Sequence, residues 1–253
     1  MKSKLIFFII ILPFTLSFFS CASHITKKKE KAAAFRNLGE AYLAEGKPTP
    51  ALKILLKSEK IYSKDPFLHN NLGQAYLTKG SFDLAIKHFT RAIELNPNYI
   101  PAKNNLGIAY LAKGDWDTSI KHFKEASDNI LYATPTFPLC NIGWAYFNKK
   151  EYNLAEKYYR KVLALEPDFT KALWGLGRTY LKLNRASDAI YYFDKVIALS
   201  PASPLLYLDL ANACELAGDT DRALITYKNL VQTSPGSPAA QIAKQKLVTL
   251  DPL

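Results

Sequence analysis

Apolar residues return every three or four positions over stretches of about a dozen residues, and short polar breaks separate the stretches. That spacing puts the apolar side chains on one face of an α-helix and predicts a protein built of helices alone. The breaks have a fixed order. Gly46, Gly80, Gly114, Asn184 and Gly218 stand where the first helix of a pair should end in a left-handed cap, which Gly and Asn tolerate, and Lys150 is the exception at that place. Three residues later come Thr49, Asp83, Asp117, Asn153, Ser187 and Asp221, all able to accept a backbone N–H and expected as N-caps of the second helices. Pro50 would then open its helix at the first position. Pro97, Pro167, Pro201 and Pro235 are expected to end the second helices, because proline has no donor to continue them.

The order recurs with a period. Gly39, Gly73, Gly107, Gly143 and Gly177 are separated by 34, 34, 36 and 34 residues, and Ala211 follows after another 34. Three residues after each small residue stand Tyr42, Tyr76, Tyr110, Tyr146, Tyr180 and Cys214, and twelve after it Ala51, Ala85, Ser119, Ala155, Ala189 and Ala223. Sixteen after it come Leu55, Phe89, Phe123, Tyr159, Phe193 and Tyr227. Small side chains let two antiparallel helices approach, and the large ones fill the space beside the contact.

These positions resemble the tetratricopeptide repeat, whose signature includes Leu-Gly, Tyr, Ala, an aromatic and a terminal Pro. The resemblance spans six units, 32–65, 66–99, 100–135, 136–169, 170–203 and 204–237. It implies an all-α, right-handed superhelical solenoid. Ala240, Ala243, Leu247 and Leu250 define one more amphipathic helix within 238–253, the cap a solenoid needs where its last repeat would otherwise expose an apolar face.

The first residues follow another pattern. Met1-Lys2-Ser3-Lys4 is basic, and Leu5 to Phe19 carries no charge. As a helix that run would span about 22 Å, short of the ~30 Å hydrocarbon core, so residues 1–20 read as an export signal and not a stable span. Two cleavage readings stand. Phe18-Phe19-Ser20-Cys21 resembles a bacterial lipobox, which would make Cys21 the lipidated N-terminus of a basic tether, 21–31. Ser20-Cys21-Ala22 also fits ordinary signal peptidase. Ala22, which is not Asp, implies by the lipoprotein resemblance the periplasmic face of the outer membrane, and an acylated cysteine would supply the more than one chain that stable anchoring requires.

Charge adds a constraint on partners. The chain carries a net +11, and +9 once Lys2 and Lys4 leave with the signal. A basic surface suits nucleic acid, anionic lipid or acidic protein, and export disfavours the first. Lys27-Lys28-Lys29 reads as a solvated tether. Cys140 and Cys214 fall on different helices and make no disulfide framework, so they are expected as buried thiols.

Catalytic motifs are missing from the sequence: it has no His-Glu-x-x-His, phosphate loop, Cys-x-x-Cys or nucleophile elbow. Gly175-Leu176-Gly177 is half of a dinucleotide fingerprint inside a helix. His88 and His122 recur at one repeat position, but no further ligands accompany them, so neither a metal nor a cofactor is expected.

Binding is better represented. In the repeat family the first helix of each unit lines the concave groove, and the residue two before the Gly points into it. Asn37, Asn71, Asn105 and Asn141 hold that position, followed by Gly175 and Asp209. Stacked carboxamides resemble the asparagine ladder by which some members of this superfamily hold an extended peptide backbone, since each offers a donor and an acceptor; the alternative is four solvated side chains. Phe137, Trp144, Phe147 and Trp174 map to the same groove as partner anchors, with Phe147 equally placed for packing between units. The chaperone-type carboxylate clamp is not matched, because Arg36 and Glu40 stand at its positions.

The period slips by two residues between units three and four, where 128–136 read DNILYATPT in place of a simple Pro turn. With the lipoprotein-like signal, six repeats and the following Asn-Ile-Gly-Trp-Ala-Tyr, this junction resembles the type IV pilus pilotins. The resemblance implies a non-enzymatic lipoprotein scaffold that binds secretin subunits and promotes their localisation and multimerisation in the outer membrane. The departures are the two phenylalanines in the lipobox, Ser63 where unit one should carry Pro, and the basic composition. A general periplasmic adaptor that scaffolds cell-wall enzymes is the competing reading.

Overall fold

The computed structural model describes residues 25–128, 135–199 and 203–250, and every element in them is helical. Cys21, Pro201 and most of the two-residue slip lie outside the described residues. No described helix is long and apolar enough to cross a membrane.

The chain divides into two compact units, 1–113 and 114–253. The first holds α1 (25–44), α2 (Pro48–Ile61), α3 (Pro66–Thr78), α4 (Phe82–Leu95) and α5 (Ile100–Lys113). The second holds α6 (Trp116–Ser127), α7 (Thr136–Asn148), α8 (Tyr152–Leu165), α9 (Thr170–Lys182), α10 (Ala186–Leu199), α11 (Pro204–Leu216), α12 (Thr220–Thr233) and α13 (Pro238–Leu250).

Within each unit consecutive helices pack, and alternate odd-numbered helices also touch: α3 with α5, then α7 with α9, α9 with α11 and α11 with α13. No even-numbered pair does so among the described residues. The odd helices therefore form one continuous layer in each unit, and that layer carries the groove candidates. The large residue of the even helix seats directly on the glycine of the odd one. A Cβ added at Gly39, Gly73 or Gly177 would lie 2.5 Å from Leu55, Phe89 or Phe193, closer than carbon atoms approach. The cores follow from this. Leu55, Leu68, Leu72 and Phe89 are fully buried in the first unit, and Tyr159, Leu176, Tyr180, Phe193 and Tyr227 in the second. Ala240 and Ala243 of α13 are fully buried too, with Leu247 and Leu250 packed on the same core.

The turns are tighter than the sequence reading expected. Gly46, Gly80, Gly114, Asn184 and Gly218 take φ between 57° and 82°, and Lys150 takes φ 64°. Lys150 differs in residue type only; its backbone obeys the geometry of the set. The hydrogen bonds are those of a Schellman motif: Glu151 N donates to Tyr146 O and Lys150 N to Phe147 O, each at 3.0 Å.

The N-cap prediction is corrected by two residues. The caps are Lys47, Ser81, Asp115, Glu151 and Asp219, each directly after the left-handed residue, and only Asp115 and Asp219 accept an N–H through the side chain. The left-handed residue alone reverses the chain, so no further linker is needed before the next helix. Pro48, not Pro50, is the first helical residue of α2, and Pro50 occupies a later place in that first turn, where the missing donor still has no partner to lose. Three of the displaced polar residues have a different task. Lys79 Nζ donates to Thr49 Oγ1 at 3.0 Å, Lys113 Nζ to Asp83 at 2.8 Å and Lys149 Nζ to Asp117 at 2.6 Å, each tying the next odd helix back to the preceding even one.

Candidate partner-binding site

On α7, Cys140, Trp144 and Phe147 share a face by their four- and three-residue spacing, and on α9 Lys171, Trp174, Gly175 and Arg178 do the same. The two faces meet in a cleft of about 220 Å³ in the second unit, walled by Trp144 and Trp174 and bordered by Asn141, Lys171 and Arg178. Its floor is Tyr159 of α8. That ring lies between two glycines: a Cβ would stand 2.8 Å from it at Gly143 and 2.4 Å at Gly175. Gly175 is thus required by the close approach of an aromatic ring, which also explains why no Asn occupies this ladder position.

Polar contacts hold the walls in place. The Trp144 and Phe147 rings stack with centroids 5.5 Å apart, and the Arg178 guanidinium covers both at 5.4 and 5.3 Å. Arg178 also pairs with Asp209 of α11 at 3.6 Å. Trp174 Nε1–H donates to Asp209 Oδ2 at 2.8 Å, so one carboxylate orients both a wall and a rim residue. Burial raises the Asp209 carboxyl above its ordinary value, while the bond from Trp174 and the charge of Arg178 pull it down. Burial likewise pushes the Cys140 thiol up to about 12, which leaves it protonated and inert near neutrality. Beyond Arg178 a more polar cavity of about 600 Å³ runs past Phe147, Asp209 and Glu215 to Lys246.

The 220 Å³ cleft is smaller than the ~300–1,000 Å³ typical of small-molecule sites. Its apolar walls and its cations suit one apolar side chain presented beside an acidic one.

The residues singled out from sequence fall in several settings. Trp144, Trp174 and Asn141 line the cleft. Phe147 is buried at 9% exposure and belongs to the core, with an edge on the larger cavity. Phe137 is exposed, edge-on to Phe169 at 5.3 Å with Lys171 over its ring. In the first unit Asn37 is exposed and accepts from Arg36, Asn71 is buried with its amide 3.4 Å from Glu40, and Asn105 donates to Asn70 Oδ1 at 2.9 Å. All three amides thus have neighbours within the protein: the Asn37 oxygen takes two N–H groups of Arg36, while Asn71 and Asn105 use an amide N–H and not the oxygen in these contacts. Cys140 and Cys214 are buried free thiols.

Arg178, Lys171 and Tyr159 were missed. Arg178 could have been found from its place four residues after Trp174, on the same face. Tyr159 could not, because nothing in its repeat position distinguishes a cleft floor from an ordinary core aromatic.

Tetratricopeptide-repeat family models match residues 66–99, 88–121, 140–204 and 184–247, together more than half of the chain. Comparison with curated proteins finds no match. Among solved structures the chain is similar to PilW, described as a widely conserved type IV pilus biogenesis factor, at TM-score 0.79 and 22% identity over 84% of this chain and 98% of that one. It is similar to PilF of Pseudomonas aeruginosa at TM-score 0.73 and 21% identity, over 87% and 99%. Cut9 in the APC/C hetero-tetramer Cut9-Hcn1 gives TM-score 0.74 and 19% identity, over 85% of this chain and 42% of that one. At such identities the likeness establishes the fold, a solenoid of tetratricopeptide repeats, and not the partner.

Proposed function

Because the chain belongs to the tetratricopeptide-repeat family, we propose that it is a non-catalytic scaffold whose second unit grips a protein partner through the cleft between Trp144 and Trp174. The observation that carries this reading is the half-buried tryptophan pair over a glycine-framed floor, held by Asp209 and Arg178 before any partner arrives. Preformed walls lower the ordering cost of binding, and aromatic and arginine residues are where interface energy concentrates. Asn141 at the cleft edge would hold partner backbone.

The partner we propose is a subunit of a type IV pilus secretin, and the place the periplasmic face of the outer membrane, with Cys21 as the lipidated residue. Support comes from the pilotin-like junction and signal in the sequence and from the likeness in fold to PilW over 84% of this chain. The scaffold would carry secretin subunits to the membrane and promote their assembly without covalent chemistry.

A Trp144→Ala, Trp174→Ala double variant should lose secretin binding in pull-down and calorimetry while keeping wild-type helix content; binding as tight as wild type would remove the cleft assignment. In cells, deletion of the gene should abolish the detergent-resistant secretin multimer, with rescue by wild type and not by Cys21→Ala. Rescue by both forms would argue against the lipid anchor, and an unchanged multimer would favour the cell-wall adaptor.

A further inference from the structure

Three potential ligands converge in the first unit, away from the partner cleft and on three different helices. His69 on α3 is buried, and its Nδ1 lies 3.0 Å from Nδ1 of His88 on α4. Glu59 on α2 places Oε1 3.9 Å from His69 Nδ1. All three ligand atoms fall within 4.8 Å of one another.

The arrangement around them is the second feature. His69 Nε2 lies 2.8 Å from the Ser63 carbonyl oxygen, which can only accept, so the ring proton sits on Nε2 and the Nδ1 lone pair faces the cluster. A backbone carbonyl that fixes the tautomer of an imidazole is the usual support of a metal-binding histidine. The His88 ring is held on its other side by Tyr76, stacked at 5.3 Å and 13°.

We propose that Glu59, His69 and His88 form a binding site for one divalent first-row transition ion, with zinc the best fit to two imidazoles and one carboxylate. Nitrogens about 2.0–2.1 Å from a tetrahedral zinc are roughly 3.3–3.4 Å apart, so the two rings need only a few tenths of an ångström of adjustment. Glu59, on a flexible stem, makes the larger move. In the apo chain the His88 Nδ1–H donates to His69 Nδ1. On binding, that proton relocates to His88 Nε2, both Nδ1 lone pairs reach the ion, and no net proton is released by the imidazoles. Water would take the fourth position. The ion would clamp α2, α3 and α4 together, a structural role independent of the partner cleft. The sequence gives no sign of it, because positions 59, 69 and 88 match no metal-binding spacing.

The test uses the purified full chain without a histidine tag, stripped with chelator and titrated with Zn²⁺ against a chromophoric competitor, followed by Co²⁺ and its visible absorption. We expect one ion per chain, a tetrahedral Co²⁺ spectrum and a rise in Tm on adding Zn²⁺. The His88→Gln and Glu59→Gln variants, changed at half-buried positions so that the fold is kept, should lose affinity, by roughly 100-fold or more for His88→Gln. His122→Gln should bind like wild type. Absence of stoichiometric binding, or binding equally tight in both cluster variants, would overturn the site.

Discussion

Lys150 offers a direct test of the turn geometry. It is exposed and holds φ 64°, a region where an L side chain crowds the following carbonyl at a cost of about 1–2 kcal/mol. Replacing it by glycine removes that cost but frees the unfolded chain, which returns about 0.4–1 kcal/mol. Both Schellman hydrogen bonds survive, because they use backbone atoms only. The balance for Lys150→Gly is a stabilisation of about 0.5–1 kcal/mol, or roughly 1–4 °C in Tm for a chain of this size. The gain should appear locally, since the turn closes the helix that carries Trp144: amides of α7 and α8 should exchange more slowly by hydrogen–deuterium exchange. The reverse change, Gly80→Lys, should destabilise by a similar amount at a turn with φ 73°. If Lys150→Gly lowered Tm and left α7 exchange unchanged while Gly80→Lys was neutral, the argument from left-handed strain would be refuted.

Three further outcomes follow from the site. Gly175→Ala would place a methyl 2.4 Å from the Tyr159 ring, so we expect a loss of about 1–3 kcal/mol in denaturant unfolding together with weaker partner binding. Cys140, with its thiol raised to about 12, should react with Ellman's reagent at pH 8 only as fast as the second unit opens, and at the ordinary thiol rate in denaturant. Because Asp209 holds its proton to higher pH folded than unfolded, its contribution is largest at low pH and declines as pH rises from 3.8 through the raised value; Asp209→Asn should remove that decline from a Tm-versus-pH series, and an identical slope in both proteins would contradict the assignment.

Much of the fold was legible because it is local and repeated. A 34-residue period of small, aromatic and apolar positions states which faces meet, and each contact lies within one or two helices of its partner in the chain. The Gly-to-aromatic seating, the left-handed turns and the final amphipathic helix all follow from that pattern. The cap register did not. The sequence shows a polar residue three places after each turn, and whether it caps the helix or pairs with a lysine of the next odd helix depends on how few residues the turn consumes.

The site divides along the same line. Trp144 and Trp174 could be named from sequence because a repeat position assigns a helical face. Tyr159 as floor, Asp209 as the common partner of Trp174 and Arg178, and the meeting of Glu59 with His69 and His88 join residues on different helices at separations with no sequence signature. The sequence by itself determined the helices, their pairing and the face each presents, since these depend on spacing along one element. Only the tertiary structure decided which side chains share a cleft, because that depends on the side-by-side placement of helices, where a few ångströms separate a buried core ring from a binding wall.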